Sequence, residues 1–95
     1  MMKLVEVLVM LTIKQLRKKI DAIDSSIIKK LSVRQKLSIR IGKLKSKSGK
    51  KVFDAKREIK LMHLYEALSN QYQLEEDYIK RLFKIIINNS RKMQK

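Results

Sequence analysis

Apolar residues recur at intervals of three and four along most of the chain, a spacing that places them on one face of an α-helix. In the first half this stripe is long, and its members are Leu16, Ile20, Ile23, Ile27, Leu31, Leu37, Ile41 and Leu44. Two shorter stripes follow in the second half. No run alternates with the period of a β-strand, so the pattern predicts an all-α fold of three helices.

The breaks between the stripes carry residues that end or begin helices. The first helix is predicted to start near Thr12 or earlier and to end at about Lys47, before Gly49 in the segment KSKSGKKVF. Asp54 is the predicted N-cap of the second helix, because its carboxylate can accept hydrogen bonds from the free N–H groups at a helix start.

The second and third helices have stripes of their own. The second is predicted to run to about Ser69 on Ile59, Leu61, Met62, Leu64, Tyr65 and Leu68. After the polar connection SNQYQ, the third is predicted to start near Leu74, where acidic residues favour the positive end of the helix. Its stripe is Ile79, Phe83, Ile86 and onward.

The length of the first helix has a consequence for assembly. A helix of about 35 residues is about 50 Å long, and two shorter helices do not cover that length in a compact monomer. The stripe therefore predicts a partner chain. Residues 1–13, MMKLVEVLVMLTI, are apolar but are interrupted by Glu6, lack a small-residue cleavage site and are too short to span a bilayer. They are interpreted as an extension of the first helix, within one domain covering residues 1–95.

Charge and composition narrow the chemistry. Lys and Arg total 24 against 9 for Asp and Glu, a formal net charge of +15, which favours an anionic partner such as nucleic acid, a membrane surface or a small anion. The chain has no cysteine and one histidine, His63. Disulfides and cysteine nucleophiles are therefore excluded, and a single histidine does not build a metal site, so no metal is expected.

Each predicted helix also places polar residues in its apolar stripe. Arg34 lies on the first stripe with Lys45 beside it, Glu58 falls on the inner face of the second helix, and Ser90 and Gln94 continue the third. A single such residue is usually structural, and Glu58 with Arg34 would make a plausible salt bridge. Because all three helices show the same feature, the pattern predicts a polar cavity in a helical bundle that binds a small anion.

Arg17 adds a geometric argument. It precedes Arg34 by seventeen positions, so the two lie about 25 Å apart along a straight helix and point about 100° apart. They do not reach one small ligand within the same chain. An antiparallel second copy would bring Arg17 to the site.

Four segments together resemble the type II, all-helical chorismate mutases. They are LRKKIDAID (16–24), VRQKLSIRIGKLK (33–45), VFDAKRE (52–58) and YIKRLFKIIINNSRKMQ (78–94). The resemblance covers about residues 14–95. It implies an intertwined homodimer with two equivalent, shared active sites.

The resemblance also implies roles for the polar residues. Arg34, together with Arg17 of the other subunit, would bind the two carboxylates of chorismate. Lys45 and Gln94 would donate hydrogen bonds to the ether oxygen of the breaking bond.

Four further residues complete the site that the resemblance implies. Glu58 and the backbone around Asp54 would hold the ring hydroxyl, and Ser90 and Arg57 would support a carboxylate. Lys56 stands where an acidic residue is expected, which is a minor departure. The implied reaction, chorismate to prephenate, is an intramolecular rearrangement that needs no nucleophile, metal or cofactor. It would serve phenylalanine and tyrosine biosynthesis in the cytoplasm.

Three alternatives stay open at this point. Isochorismate-pyruvate lyase shares the fold, but its members lack the pair corresponding to Arg57–Glu58. A basic helical dimer that binds nucleic acid would agree with the charge, although the few aromatic residues fall mostly on apolar faces and offer no stacking platform. A purely structural dimer would leave the polar stripe residues without a role. The expected partners are chorismate and a second copy, with no nucleic acid and no membrane.

Overall fold

The computed structural model describes residues 3–95 and contains three α-helices, with no strand among the described residues. They are α1 (Leu4–Lys47), α2 (Ala55–Gln71) and α3 (Glu76–Gln94). The prediction of an all-α chain with one long helix is confirmed. The connection between α2 and α3 lies two residues later than predicted.

The end of α1 follows from a glycine. Gly49 has a φ of 72°, which glycine adopts without a Cβ penalty. The N–H of Lys50 donates to the carbonyl of Lys45 at 2.9 Å, and the N–H of Gly49 donates to that of Ser46 at 3.4 Å. This pair of bonds is a Schellman motif, which satisfies carbonyls left free at a helix C-terminus.

The start of α2 is fixed by the predicted cap. Asp54 is extended, and its Oδ1 accepts a hydrogen bond of 3.1 Å from the N–H of Arg57. The predicted N-cap is therefore confirmed.

A second Schellman motif explains the shifted boundary between α2 and α3. The N–H of Leu74 donates to Ser69 at 2.9 Å, and the N–H of Gln73 donates to Asn70 at 3.4 Å. Gln73 takes the left-handed position with a φ of 55°. The left-handed residue decides where the helix stops, so α2 continues through polar residues that the sequence suggested were a connection.

Contacts between Cα atoms divide the chain into two units, one up to Arg34 and one over Gln35–Lys95. In the second unit α2 packs on α3 through three buried residues, Leu61, Tyr65 and Ile87. The rings of Tyr65 and Phe83 stack with centroids 4.4 Å apart. The predicted stripe of α3 faces inward, since Ile79, Phe83 and Ile86 are half-buried, and the inward face also includes Ile87, which is buried.

A charged contact also joins α2 to α3. The ammonium of Lys80 lies 2.9 Å from a carboxylate oxygen of Glu66 on α2 and 2.8 Å from one of Glu76, one turn earlier on α3. Hydrogen bonds with Glu76 and Glu66 raise the pKa of Lys80 above its ordinary value, and the bond to Lys80 lowers the pKa of Glu66. Both groups therefore stay charged across the neutral range.

The long stripe of α1 is exposed in the single chain. Its exposed fractions range from 38% at Leu31 to 66% at Leu44. A row of exposed aliphatic side chains of this length is what an interaction surface presents. Among the described residues, no helix combines the length and apolarity needed to cross a bilayer.

The strained position at Gln73 yields a stability prediction. Replacing Gln73 by glycine should raise the free energy of unfolding by up to about 1 kcal/mol, because glycine adopts positive φ without steric cost. Urea unfolding at a fixed protein concentration measures the change. The same substitution at Gln71, the last residue of α2, is the matched control and should not raise stability, because glycine gains nothing at a helical position. Destabilisation by Gln73→Gly would contradict the left-handed assignment.

Candidate active site

A close approach of two helices brings together two of the predicted site residues. Ser38 and Gly42 are one turn apart and are the buried residues of α1. A Cβ built on Gly42 would lie 2.6 Å from the Cα and carbonyl oxygen of Gln94, so the last turn of α3 rests directly on this glycine. Lys45 follows Gly42 by three positions, which places it on the neighbouring turn of the same face.

Lys45 is half-buried and tied to the loop that precedes α2. Its Nζ donates a hydrogen bond of 2.9 Å to the carbonyl of Val52. An ammonium has three N–H donors, so this bond orients the group and leaves donors for a ligand. The loop contact therefore fixes the direction of the Lys45 ammonium, and the donor role that the resemblance implies for Lys45 stays a prediction.

The side chain of Gln94 has an unusual environment. Its Oε1 is buried and has no hydrogen-bond partner among the described residues. A buried amide oxygen in this state costs about 1–3 kcal/mol, and native structures contain few such groups. Rotating the amide by half a turn exchanges its oxygen and its NH2 group, so the same position can present a donor. The geometry is compatible with a side chain kept for a ligand.

Glu58 is paired, but with a residue that the sequence analysis did not select. Its carboxylate contacts the guanidinium of Arg91 on α3, and each side chain is about one-third exposed. The guanidinium carbon of Arg91 also lies 4.8 Å from the ring centroid of Phe53. The position of Arg91, four residues after Ile87 and three before Gln94, was the available indication that it faces inward.

The Glu58–Arg91 pair lies at the edge of a cavity of about 350 Å³. Apart from Glu58 and Met62, its lining comes from α3 and includes the cations Lys80, Arg81, Lys84 and Arg91. A recess with more cations than carboxylates favours anionic ligands.

The remaining residues of this unit differ in exposure. Ser90 is buried, and its hydroxyl donates a hydrogen bond of 3.0 Å to the carbonyl of Ile86. Asp54 and the side chain of Arg57 are exposed. Because the carboxylate of Asp54 caps α2, this stretch is held rigidly at the helix start.

Arg17 and Arg34 belong to the other unit. Arg34 is half-buried, whereas Arg17 is exposed on α1. Arg17 lines a groove with the apolar residues Val7, Met10 and Leu11. The charged residues Lys14, Lys18 and Asp21 line the same groove.

These features define a class of protein: an all-helical chain in which Lys45 and Gln94 lie on neighbouring turns and Glu58 lines a cavity rich in cations. Comparison with known proteins identifies the family within this class. The family described as chorismate mutase type II matches residues 16–95. The chain belongs to this family, and the resemblance found in the sequence is confirmed.

Individual relatives agree with the family assignment. The chain is 37% identical over 75 residues to the bifunctional chorismate mutase/prephenate dehydratase of Escherichia coli K12, covering 79% of this chain and 19% of the relative. It is 28% identical over 81 residues to the chorismate mutase of Methanocaldococcus jannaschii, covering 85% and 82%. A bifunctional relative from Buchnera aphidicola of Acyrthosiphon pisum is 34% identical over 79 residues, covering 83% and 20%. The chain thus spans about a fifth of the length of the bifunctional relatives.

The contact at Gly42 yields a prediction for the site. In an ordinary helix interior, glycine to alanine stabilises by about 1 kcal/mol. Here Gly42→Ala should instead destabilise and displace the last turn of α3, because the new methyl would meet backbone atoms of Gln94. Misplacing Gln94 in this way should lower kcat/KM for chorismate by about a hundredfold.

The measurement combines steady-state kinetics with thermal unfolding followed by circular dichroism. Lys43→Ala, at the exposed neighbouring position, is the control and should leave both quantities near the parental values. A Gly42→Ala protein with parental kinetics and raised stability would show that α3 does not rest on this glycine.

Proposed function

We propose that the chain is a chorismate mutase, which converts chorismate to prephenate by an intramolecular rearrangement. The observation that carries the proposal is the family match over residues 16–95, a range that includes every predicted site residue from Arg17 to Gln94. The proposal concerns the mutase reaction alone. It includes a place in phenylalanine and tyrosine biosynthesis and a cytoplasmic location.

The reaction does not require the protein to form a covalent bond with the substrate. One bond to the ether oxygen breaks while a carbon–carbon bond forms within the same molecule, so neither a nucleophile nor a proton transfer is required. The enzyme holds the enolpyruvyl side chain of the substrate over the ring. This conformation is rare in the free substrate, and the enzyme binds the substrate in it. Arg34 and the partner's Arg17 hold the two substrate carboxylates, where a planar guanidinium can pair with both oxygens of one group.

Charge develops on the ether oxygen as its bond lengthens. Lys45 and Gln94 are proposed to donate hydrogen bonds to that oxygen, and donors fixed in advance stabilise the transition state without having to reorganise. The support for this pairing is the contact of Gln94 with Gly42, one turn from Lys45. The bond from Lys45 to Val52 supplies the fixed orientation.

The other residues of the proposed site recognise the rest of the substrate. Glu58 and the backbone at Asp54 would hold the ring hydroxyl, and Ser90 and Arg57 would support a carboxylate. The placement of Glu58 at the edge of a basic cavity supports this division, since the cations attract the dianion while the carboxylate accepts from the hydroxyl.

A second copy of the chain completes the proposed site. The aliphatic stripe of α1 is exposed, and its burial against an identical stripe would supply the driving force for an intertwined homodimer. The separation of about 25 Å between Arg17 and Arg34 along one helix then becomes useful, because an antiparallel partner places its Arg17 near Arg34.

The direct test adds chorismate to the purified chain and follows the loss of its absorbance, with prephenate identified as the product. Isochorismate is supplied in parallel, and release of pyruvate would indicate the lyase instead. Absence of turnover with both substrates by a folded protein would overturn the proposal.

The shared site predicts complementation between two inactive variants. Arg17→Ala and Arg34→Ala should each lack activity as homodimers. After subunit exchange, about a quarter of the parental activity should return, because half of the dimers are mixed and each has one intact site. No recovery after exchange verified by mass spectrometry would refute the shared-site model.

The donor role of Gln94 predicts a pH dependence in a variant. An ionised carboxylate accepts hydrogen bonds but does not donate, so Gln94→Glu should be poor at pH 7 and should recover on acidification. The parent should vary much less, because an amide does not titrate. Rate profiles from about pH 5 to pH 8 measure the difference, with circular dichroism as the control for folding. Parallel profiles would mean that Gln94 is not the donor.

A further inference from the structure

The contact between Glu58 and Arg91 has features beyond those of an ordinary surface ion pair. It joins α2 to α3, and the two side chains are 30% and 31% exposed. The guanidinium is also held by the ring of Phe53, 4.8 Å from its centroid. A guanidinium fixed by a carboxylate and by an aromatic face has little conformational freedom, so the carboxylate that it contacts is fixed as well.

The position of Arg91 along α3 directs it to the proposed site. Ile87, four residues earlier, is buried, and Gln94, three residues later, rests on Gly42. Residues at these spacings share one face of a helix. Arg91 therefore lies on the inward face, between the core of the α2–α3 pair and the proposed donor.

An anionic substrate creates an electrostatic problem at Glu58. A dianion that binds beside an unpaired carboxylate is repelled, whereas a carboxylate paired with a guanidinium presents almost no net charge. One oxygen of Glu58, Oε1, contacts Arg91. The second oxygen is then available to accept a hydrogen bond from a hydroxyl group.

We propose that Arg91 is a positioning residue for the mutase reaction, and this inference rests on the proposed function. Arg91 orients Glu58 through one carboxylate oxygen, which leaves the other for the ring hydroxyl of the substrate. It also cancels the charge of Glu58 toward the substrate carboxylates.

Other cations do not replace Arg91 in this role. Lys80, Arg81 and Lys84 line the same cavity, and Lys80 is already engaged by Glu66 and Glu76. These lysines and this arginine raise the positive potential of the cavity in general. The pair with Glu58 belongs to Arg91.

A double-mutant cycle on the full chain tests the inference. Arg91→Met should lower kcat/KM for chorismate by about ten- to a hundredfold, with a raised KM and a lowered kcat, because both repulsion and misorientation follow. In a Glu58→Gln background the same substitution should change kcat/KM by less than about threefold, because no charge is left to compensate. Arg91→Lys should restore part of the activity, since lysine keeps the charge but loses the planar fork.

Lys92→Met removes an exposed cation from the adjacent position of α3 and serves as the control for the loss of net charge. Its kinetics should match those of the parent. If Arg91→Met does not fold, Arg91→Lys in the two backgrounds gives the same cycle.

The outcomes separate the possible failures. Equal losses in both backgrounds, together with a lowered melting temperature, would make Arg91 a structural residue and overturn the inference. Parental kinetics for Arg91→Met would overturn it too. A parent without mutase activity would overturn the proposed function itself.

Discussion

The rest of the site depends on the missing side chain at Gly42. Because that position carries only hydrogen, the last turn of α3 can rest on α1 with backbone against backbone, and Gln94 reaches the level of Lys45. Lys45, near the end of α1, and Gln94, in the last turn of α3, are thereby brought close together. The Schellman motif at Gly49 and the bond from Lys45 to Val52 then hold the loop that leads into α2. A glycine inside a helix costs stability, and here the cost is offset by the precise approach of two elements.

Charge compensation is the second organising feature. A chain with a net charge of +15 attracts anions. An active site for a dianion also has to bind the neutral groups of its ligand, such as a hydroxyl. Glu58 lines a cavity rich in cations and contacts Arg91. In the proposed site it would accept a hydrogen bond from the hydroxyl, and Arg91 would limit its repulsion of the substrate carboxylates. Charges are also paired away from the proposed site, where Lys80 contacts Glu66 on α2 and Glu76 on α3.

The exposed stripe of α1 connects folding to function in the proposed dimer. A core of Leu61, Tyr65 and Ile87 is small for a chain of 95 residues, while the longest row of aliphatic side chains stays exposed in the single chain. Burial of that row against a second copy would add apolar area that the α2–α3 pair does not provide. The same association would bring the partner's Arg17 to the proposed site. Dimer formation would therefore both stabilise the fold and complete the site.

The sequence by itself determined the number of helices, the cap at Asp54, the stop at Gly49 and the family, because these depend on local spacing and on motifs within single segments. It also indicated the polar stripe residues, since a charged residue within an apolar stripe can be recognised from its spacing along the sequence alone. Only the tertiary structure decided that Glu58 pairs with Arg91, that Ile87 is buried, and that Gln94 rests on Gly42. Each of these depends on how far one helix is rotated about its axis against another. Neighbouring residues of a helix point about 100° apart. An apolar stripe that is itself about 100° wide therefore does not specify the exact rotation of the helix about its axis.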